Sequence, residues 1–354
     1  MRVLLLSRYG RLGSSSRVRS FQYLKLLRDA GWDVIVSPLL SDDYIKRLYT
    51  GRRNSFGEIA RRYVSRISDL LGARSYDLIW IEREVFPWIP DLFERVLLPK
   101  CVPYVLDFDD AVFHRYDMHP SRIVRWILGA KIDRLMRGAA VVIVGNDYIR
   151  DRALAAEARQ IEVLPTVVDL ARYRPEEAPP RAWPVIGWIG TPNTQPFLDV
   201  VSPALVELRR EHNFKVLLIG ANMNALPTVA HETVAWSEDT EAESIRMLDI
   251  GIMPLPVDSF TKGKCGYKLI QYMACGLPVV ASPVGVNSKL IHHGGNGYLA
   301  ETKEEWVEAL DALLSNRALR LEMGVQGRGI VEEHYSLDVT GPELLRILTS
   351  ACRS

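Results

Sequence analysis

Short runs of β-branched and aliphatic residues recur along the whole chain, separated by stretches whose apolar positions follow helical spacing. In the first half the apolar runs are 3–7, 34–37, 78–81, 104–106 and 141–144, each bounded by Gly, Pro, Asp or Asn. That punctuation marks them as strands. Several are apolar throughout rather than alternating, the pattern of a parallel sheet covered on both faces. Helical patterns such as 18–30 fill the gaps and give right-handed strand–helix–strand units, hence a Rossmann-like half. Residues 174–184 then place four prolines in eleven positions, which fits neither a helix interior nor a central strand and predicts a linker. The pattern restarts with strands at 185–189, 216–219, 250–253, 279–282 and 298–300. The predicted architecture is α/β, with two Rossmann-like domains whose parallel sheets face each other across a central cleft. Ligands of open α/β sheets bind at the carboxyl ends of strands. The expected domains are 1–174 and 175–337, with a helix of about 338–354 packing back on the first.

The stretch 263–282 carries the most information. It reads as a Gly-rich loop, a short helix, the stop Gly276-Leu277-Pro278 and a buried strand. Lys264, Lys268 and Gln271 recur at helical spacing and are expected on one face near the helix start. The leading N–H groups of a helix lack partners and its dipole favours negative charge, so two lysines there suit a phosphate or diphosphate. An amphipathic core helix with a solvated lysine face is the plain alternative. The polar segment 258–263, which includes Lys262 and Gly263, feeds this loop from the end of a strand. Gly190, Thr191 and Asn193 leave the first strand of the second half, where a glycine permits close backbone approach to a ligand.

The first half repeats that theme with Gly13, Ser14, Ser15 and Arg17 after its first strand, a small-residue loop able to approach an anion. It is not the dinucleotide fingerprint, and no acidic residue stands where a ribose would need one, so a nicotinamide site is unsupported. Asp107, Asp109 and Asp110 close the fourth strand. They read as a hard-cation motif, as an acceptor-binding or general-base carboxylate, or as a solvated loop with a helix cap. His114 follows nearby, a single histidine with either a structural or an acceptor-side role.

At 354 residues the chain is too long for one typical domain, and 48% hydrophobic with 25% charged residues is an ordinary globular composition. The four cysteines form no C-x-x-C pair, which points to a reducing compartment. The N-terminal apolar run is shorter than a signal peptide's, and no run approaches the ~20 apolar residues of a membrane span, so a cytoplasmic protein is expected. Charge is uneven: residues 1–175 hold 29 Lys and Arg against 21 Asp and Glu, and the remainder 15 against 22. The basic half is expected to meet something anionic. Lys46, Arg47, Arg52, Arg53, Arg61, Arg62 and Arg66 suggest an anionic acceptor or an anionic membrane surface, with peripheral attachment to its inner face. Nothing points to nucleic acid.

Tyr272-Met273-Ala274-Cys275-Gly276-Leu277-Pro278-Val279-Val280-Ala281-Ser282 resembles the nucleotide-sugar motif of the GT-B glycosyltransferases, specifically glycosyltransferase family 4. Val163-Leu164-Pro165-Thr166-Val167-Val168-Asp169 is similar to that family's inter-domain segment, and Gly295-Asn296-Gly297-Tyr298-Leu299-Ala300 to its glycine turn. The resemblance covers most of the chain and is dense from about 255 to 300. It implies a nucleotide diphosphate-sugar donor on the C-terminal domain and a glycan or lipid-linked acceptor on the other. It also implies transfer with retention, without an obligatory metal or cofactor, and cell-surface polysaccharide or glycolipid assembly as the setting. Gly263 and Gln271 stand where the family carries two glutamates, and Gln271 keeps the capacity to bond a ribose hydroxyl. The resemblance thus implies donor contacts from Gly190, Thr191, Asn193, Lys262, Gly263, Lys264, Cys265, Gly266, Tyr267 and Gln271, with Lys268 and Asp109 catalytic. Gly13, Ser14, Ser15, Arg17, Asp110 and His114 fall on the acceptor side. A nucleotide-sugar 2-epimerase and a non-catalytic nucleotide-sugar-binding partner subunit are the alternatives.

Overall fold

The computed structural model describes residues 1–49, 52–176 and 181–353. Of the proline-rich run 174–184, residues 177–180 lie outside the described residues. The chain divides into two compact units, Met1–Thr166 with Thr340–Ser354, and Val167–Val339.

The first unit holds a six-stranded parallel sheet. Its strands are β1 (Arg2–Tyr9), β2 (Asp33–Leu40), β3 (Leu78–Glu82), β4 (Tyr104–Phe108), β5 (Val141–Val144) and β6 (Ile161–Val163). They lie in the order β2-β1-β3-β4-β5-β6. The direction of build reverses between β1 and β3, so their carboxyl ends form the topological switch point. β3 and β5 are buried along their whole length, as their unbroken apolar runs predict. The core joins Leu4, Leu6, Ile79, Ile81 and Leu106 to the covering helices.

The second unit holds β7 (Val185–Ile189), β8 (Lys215–Ile219), β9 (Glu232–Val234), β10 (Ile250–Met253), β11 (Val279–Ala281) and β12 (Gly297–Leu299). The order β12-β11-β10-β7-β8-β9 is again parallel, with its switch point between β7 and β10. One face of this sheet buries Val185, Ile189, Tyr272 and Met273, and the other Ile186, Trp188, Leu218 and Trp306.

Three features differ from expectation. The edge strands β6 and β9 have only three residues each and were hidden by their polar content. The helix expected over 18–30 begins earlier and is broken into Ser14–Arg19, a 3₁₀ turn Phe21–Tyr23 and Leu24–Asp29. The break sits at Ser20, whose hydroxyl bonds back to the Ser16 carbonyl at 2.8 Å and competes with the helix ladder. The third is the start of the helix after Gly266, taken up below.

Candidate functional site

In the second unit the switch point gathers the glycine-rich elements. Tyr272 ties its two strands together: the Ile189 N–H donates to the Tyr272 hydroxyl at 2.8 Å, and that hydroxyl donates to the Ile252 carbonyl at 3.4 Å. Tyr272 belongs to the helix Tyr267–Ala274, so this bond sets the helix against the ends of β7 and β10. Thr191 and Thr194 close the loop after β7, with the Thr194 N–H on the Thr191 carbonyl at 2.9 Å. Asn193 is exposed in that loop. Gly190 has no room for a side chain, because a Cβ there would lie 2.2 Å from the Trp188 ring.

The loop after β10 leads into the short helix Ser259–Lys262, whose Asp258–Thr261 capping box satisfies its first N–H groups. Gly263 ends that helix, its N–H on the Phe260 carbonyl at 3.1 Å. Lys264 and Cys265 are half-buried in the turn that follows, and the Lys264 ammonium lies 4.6 Å from the Phe260 ring centre. Gly266 then caps the next helix with φ of 66°, and a Cβ would meet Leu290 at 2.3 Å. Gly266→Val should therefore destabilise the protein by about 2 kcal/mol or more, from the left-handed backbone and the overlap together. A melting curve within a degree of wild type would rule this out.

Lys268, in the first turn of the helix, holds its ammonium 4.2 Å from the Trp188 ring centre, a cation–π contact. Among the described residues it has no hydrogen-bond or ion-pair partner. Burial and then the Lys264 charge lower it from the ordinary 10.5 to about 7. A half-buried cation without a carboxylate, beside the leading N–H groups of a helix, is an arrangement that gains from an anion.

The expected lysine–lysine–glutamine face is not formed. The helix starts at Tyr267, so Lys264 precedes it. Gln271 points inward and is 2% exposed. Its amide nitrogen donates to the Tyr173 hydroxyl at 3.0 Å and to the Glu241 carboxylate at 2.5 Å. Tyr173 and the Trp236 indole also donate to Glu241. Gln271 thus neutralises the demands of a buried carboxylate under the site instead of facing a ribose. Tyr267 is half-buried and Lys262 exposed at the rim.

In the first unit the switch point is a network of buried charges. Glu82 ends β3 and accepts from the Arg8 N–H at 2.9 Å, from the Ser15 hydroxyl at 2.9 Å and from the Ser16 hydroxyl at 2.5 Å. Ser15 also donates to Asp109 at 2.8 Å. Arg83 grips the other Asp109 oxygen through Nε at 2.9 Å and Nη2 at 2.6 Å. Burial opposes ionisation of Asp109, but Arg83, Arg19 and Ser15 outweigh it and hold the carboxyl below the usual range. Such a carboxylate is a strong hydrogen-bond acceptor and a weak base.

Asp107 faces a different arginine: Arg19 reaches it through Nε at 2.9 Å and Nη2 at 2.7 Å. Arg19 also bonds the Leu164 carbonyl at 2.8 Å. The hard-cation reading of Asp107 and Asp109 finds no support in this geometry, since each carboxylate already meets a guanidinium. Among the described residues no group of three His, Cys, Asp or Glu side chains is placed to hold a metal. Gly13 and Arg17 are buried and Ser14 is exposed. Asp110 caps locally, accepting from the Ala111 N–H at 3.0 Å. His114 lies between Asp117 at 2.9 Å and the Tyr148 hydroxyl at 2.8 Å, so both ring nitrogens serve the structure.

Sequence reasoning missed Glu82, Arg83 and Arg19. The run Glu82-Arg83-Glu84 directly after an apolar strand was the available signal, the same one that drew attention to Asp107–Asp110. It also overrated the basic cluster. Arg66 is buried, donating to the carbonyls of Ser7 and Ser37 at 2.8 Å each, while Arg47 pairs with Glu58 at 2.7 Å and Lys46 with Asp43 at 3.5 Å. Arg52, Arg53 and Arg61 remain exposed.

Residues 184–316 match the family described as glycosyl transferases group 1. The chain is 32% identical over 139 residues to a D-inositol 3-phosphate glycosyltransferase of Pseudarthrobacter chlorophenolicus, an alignment covering 37% of this chain and 30% of that protein. It is 33% identical over 100 residues to an N-acetyl-alpha-D-glucosaminyl L-malate synthase of Bacillus anthracis, covering 28% and 25%. The chain therefore spans about a third or less of the length of these curated relatives. Among solved structures, Anabaena HepE in complex with UDP and glucose superposes with a TM-score of 0.74 at 16% identity, covering 99% of this chain and 100% of that one. In sequence, then, the second half is similar to the group 1 glycosyltransferases, and the chain as a whole shares the two-domain GT-B fold of HepE.

Proposed function

We propose that this protein transfers a sugar from a nucleotide diphosphate-sugar to a hydroxyl of a glycan or lipid-linked acceptor, with retention at the anomeric carbon. The observation that carries this reading is Lys268, an ammonium without a counter-charge among the described residues, at the start of a helix on a switch point. A diphosphate supplies the missing charge. The donor binds the second unit, its diphosphate against Lys268, Lys264 and the Gly190 loop. Gly263 and the inward Gln271 leave the sugar to backbone groups and the Gly266–Tyr267 turn.

As the bond from the anomeric carbon to the β-phosphate oxygen breaks, negative charge grows on that phosphate. The lysines and helix N–H groups stabilise this charge more than they stabilise the ground state. The acceptor oxygen bonds to the same carbon, and its proton passes to the leaving phosphate. Asp109, held ionised by Arg83, orients the acceptor hydroxyl by accepting its hydrogen bond.

Thermal shifts with UDP-, GDP- and dTDP-sugars test the donor, with UDP-sugars first because HepE is complexed with UDP and glucose. No shift with any of them would remove the reading. Free sugar released without an acceptor would indicate an epimerase instead, and binding without turnover a non-catalytic subunit. Asp109→Asn should leave the donor shift intact while transfer falls by about tenfold or more, the loss of one charged hydrogen bond. Equal losses in donor binding and transfer would place Asp109 elsewhere in the reaction.

A further inference from the structure

Two helices of the first unit turn their apolar faces outward. The helix Asp91–Leu97 exposes Leu92, Phe93 and Val96, the last by 73%. Spacings of one and four put these on one face. The helix Arg122–Leu128 exposes Ile123, Trp126 and Ile127, with Trp126 86% exposed. Spacings of three and four again define one face. Both helices pack against a common third, Lys131–Gly138.

Trp88 joins the two regions. Its N–H donates to the Tyr116 hydroxyl at 3.1 Å, and its ring meets those of Tyr116 and His119 edge-on at 5.2 and 5.8 Å. The ring itself stays 52% exposed. Soluble proteins rarely leave this many large apolar side chains open on two helices that share a packing partner without a use for them.

The charges in these segments identify that use. Asp91 and Glu94 are buried; Asp91 pairs with Arg95 and Arg134, and Glu94 with Lys131. Asp117 is taken by Arg152 at 2.9 Å and by His114. From 88 to 100 and from 118 to 127 every exposed charged side chain is basic: Arg95, Lys100 and Arg122. Exposed tryptophan and aliphatic side chains in segments whose exposed charges are all Arg or Lys match the interface of an anionic bilayer, where the rings sit at headgroup depth and the cations meet the lipid phosphates.

The geometry points to a lipid-docking surface on the first unit, formed by the outward faces of Asp91–Leu97 and Arg122–Leu128 with Trp88 between them. This surface is separate from the arginine-rich stretch 46–66 and does not depend on the transfer reading. It needs neither donor nor acceptor. The full-length protein should sediment with phosphatidylcholine vesicles containing phosphatidylglycerol, and roughly tenfold less with phosphatidylcholine alone or in high salt.

Trp126→Glu and Phe93→Glu should each lower vesicle binding by roughly tenfold or more, because each withdraws a large apolar side chain from the interface. Both positions are exposed, so circular dichroism and the melting temperature should match wild type. Arg61→Glu, in the other basic stretch, should leave binding nearly unchanged. Three outcomes would overturn the proposal. One is no binding to anionic vesicles by the wild type. Another is binding that survives both apolar substitutions. The third is a concentration-dependent dimer in solution that Trp126→Glu splits, which would assign the surface to a second copy of the chain.

Discussion

Lys268→Met should lower the rate of sugar transfer by about 10²–10³, the range seen when one donor to a developing oxyanion is removed. Methionine keeps the stem against Trp188, so the loss is one of charge and hydrogen bonding, not packing. The pH dependence identifies the group. With Lys268 lowered to about 7 in the free protein, its ammonium is lost as pH rises through that value. A bound diphosphate favours the charged form and raises the pKa again. Binding of a nucleoside diphosphate at pH 8.5 should then take up close to one proton, measurable by calorimetry in buffers of different ionisation enthalpy. Affinity should weaken by up to roughly tenfold per unit above pH 7, and the methionine variant should show weak, pH-independent binding.

Stability moves the opposite way. The folded-state pKa of Lys268 lies below its unfolded value, so between about 7 and 10.5 the unfolded chain holds the extra proton. Lys268 therefore makes the ligand-free protein more stable as pH rises through that window. Below it the full cost of the half-buried ammonium is felt. Lys268→Met should melt no lower than wild type near pH 6, and higher if removing the desolvated charge outweighs the lost cation–π contact. A variant that keeps full transfer activity, or binding that is flat with pH in the wild type, would end the assignment of Lys268 to the diphosphate.

Lys131→Met should destabilise the first unit by about 3–5 kcal/mol, the cost of stranding buried charges. Its ammonium, fully buried, lies 2.8 Å from Glu84 and 2.7 Å from Glu94 and donates to the Phe86 carbonyl at 2.5 Å. Methionine fills the space but leaves two carboxylates with less counter-charge. Glu84 retains Arg8 at 3.3 Å and the Tyr116 hydroxyl at 2.8 Å, and Glu94 keeps the N–H groups of Val85 and Phe86 at 3.1 and 3.2 Å. Burial already pushes the Glu94 carboxyl up to about 7 with Lys131 in place. Without it Glu94 will bind a proton at neutral pH, so the penalty should shrink toward acid. At roughly 2–4 °C per kcal/mol, the melting temperature should fall by about 10 °C at pH 8. Adding Glu94→Gln should recover part of the loss, and additive effects in that cycle would rule out the coupling.

The same network matters to the site because Arg83 and Trp88 on either side of it hold positive φ, 65° each, which residues with a side chain adopt only when the surroundings enforce it. Arg83 carries Asp109. Loosening Lys131 should therefore lower transfer as well as stability.

The α/β class, the two Rossmann-like halves and the glycine turn, helix and buried strand within 263–282 were all legible in the chain. The reason is local. A strand buried on both faces must be apolar along its length, as in β3 and β5, and a turn with positive φ selects glycine, as at Gly266. Lys268 was also legible, since a lysine beside a glycine-rich helix start needs no distant partner to be noticed. The network around Asp109 was not. Ser15 is 94 residues from Asp109, and Arg19 is 88 from Asp107. Nothing local distinguishes a buried Arg–Asp pair from two solvated charges. His114 and Arg66 show the same limit, having been read as site or surface residues and found bonded into the interior.

Gln271 marks the boundary between the two kinds of knowledge. Periodicity placed it correctly on a helix with Lys268. Which way it faced depended on Tyr173, 98 residues away, and on Glu241, whose buried carboxylate needs donors. What the sequence determined by itself is the set of elements, the glycines at their turns and the place of Lys268 at a helix start, because those follow from backbone conformation and local burial. The tertiary structure alone decided which charges are satisfied inside and which remain open to a ligand, because pairing between distant side chains depends on strand order and packing.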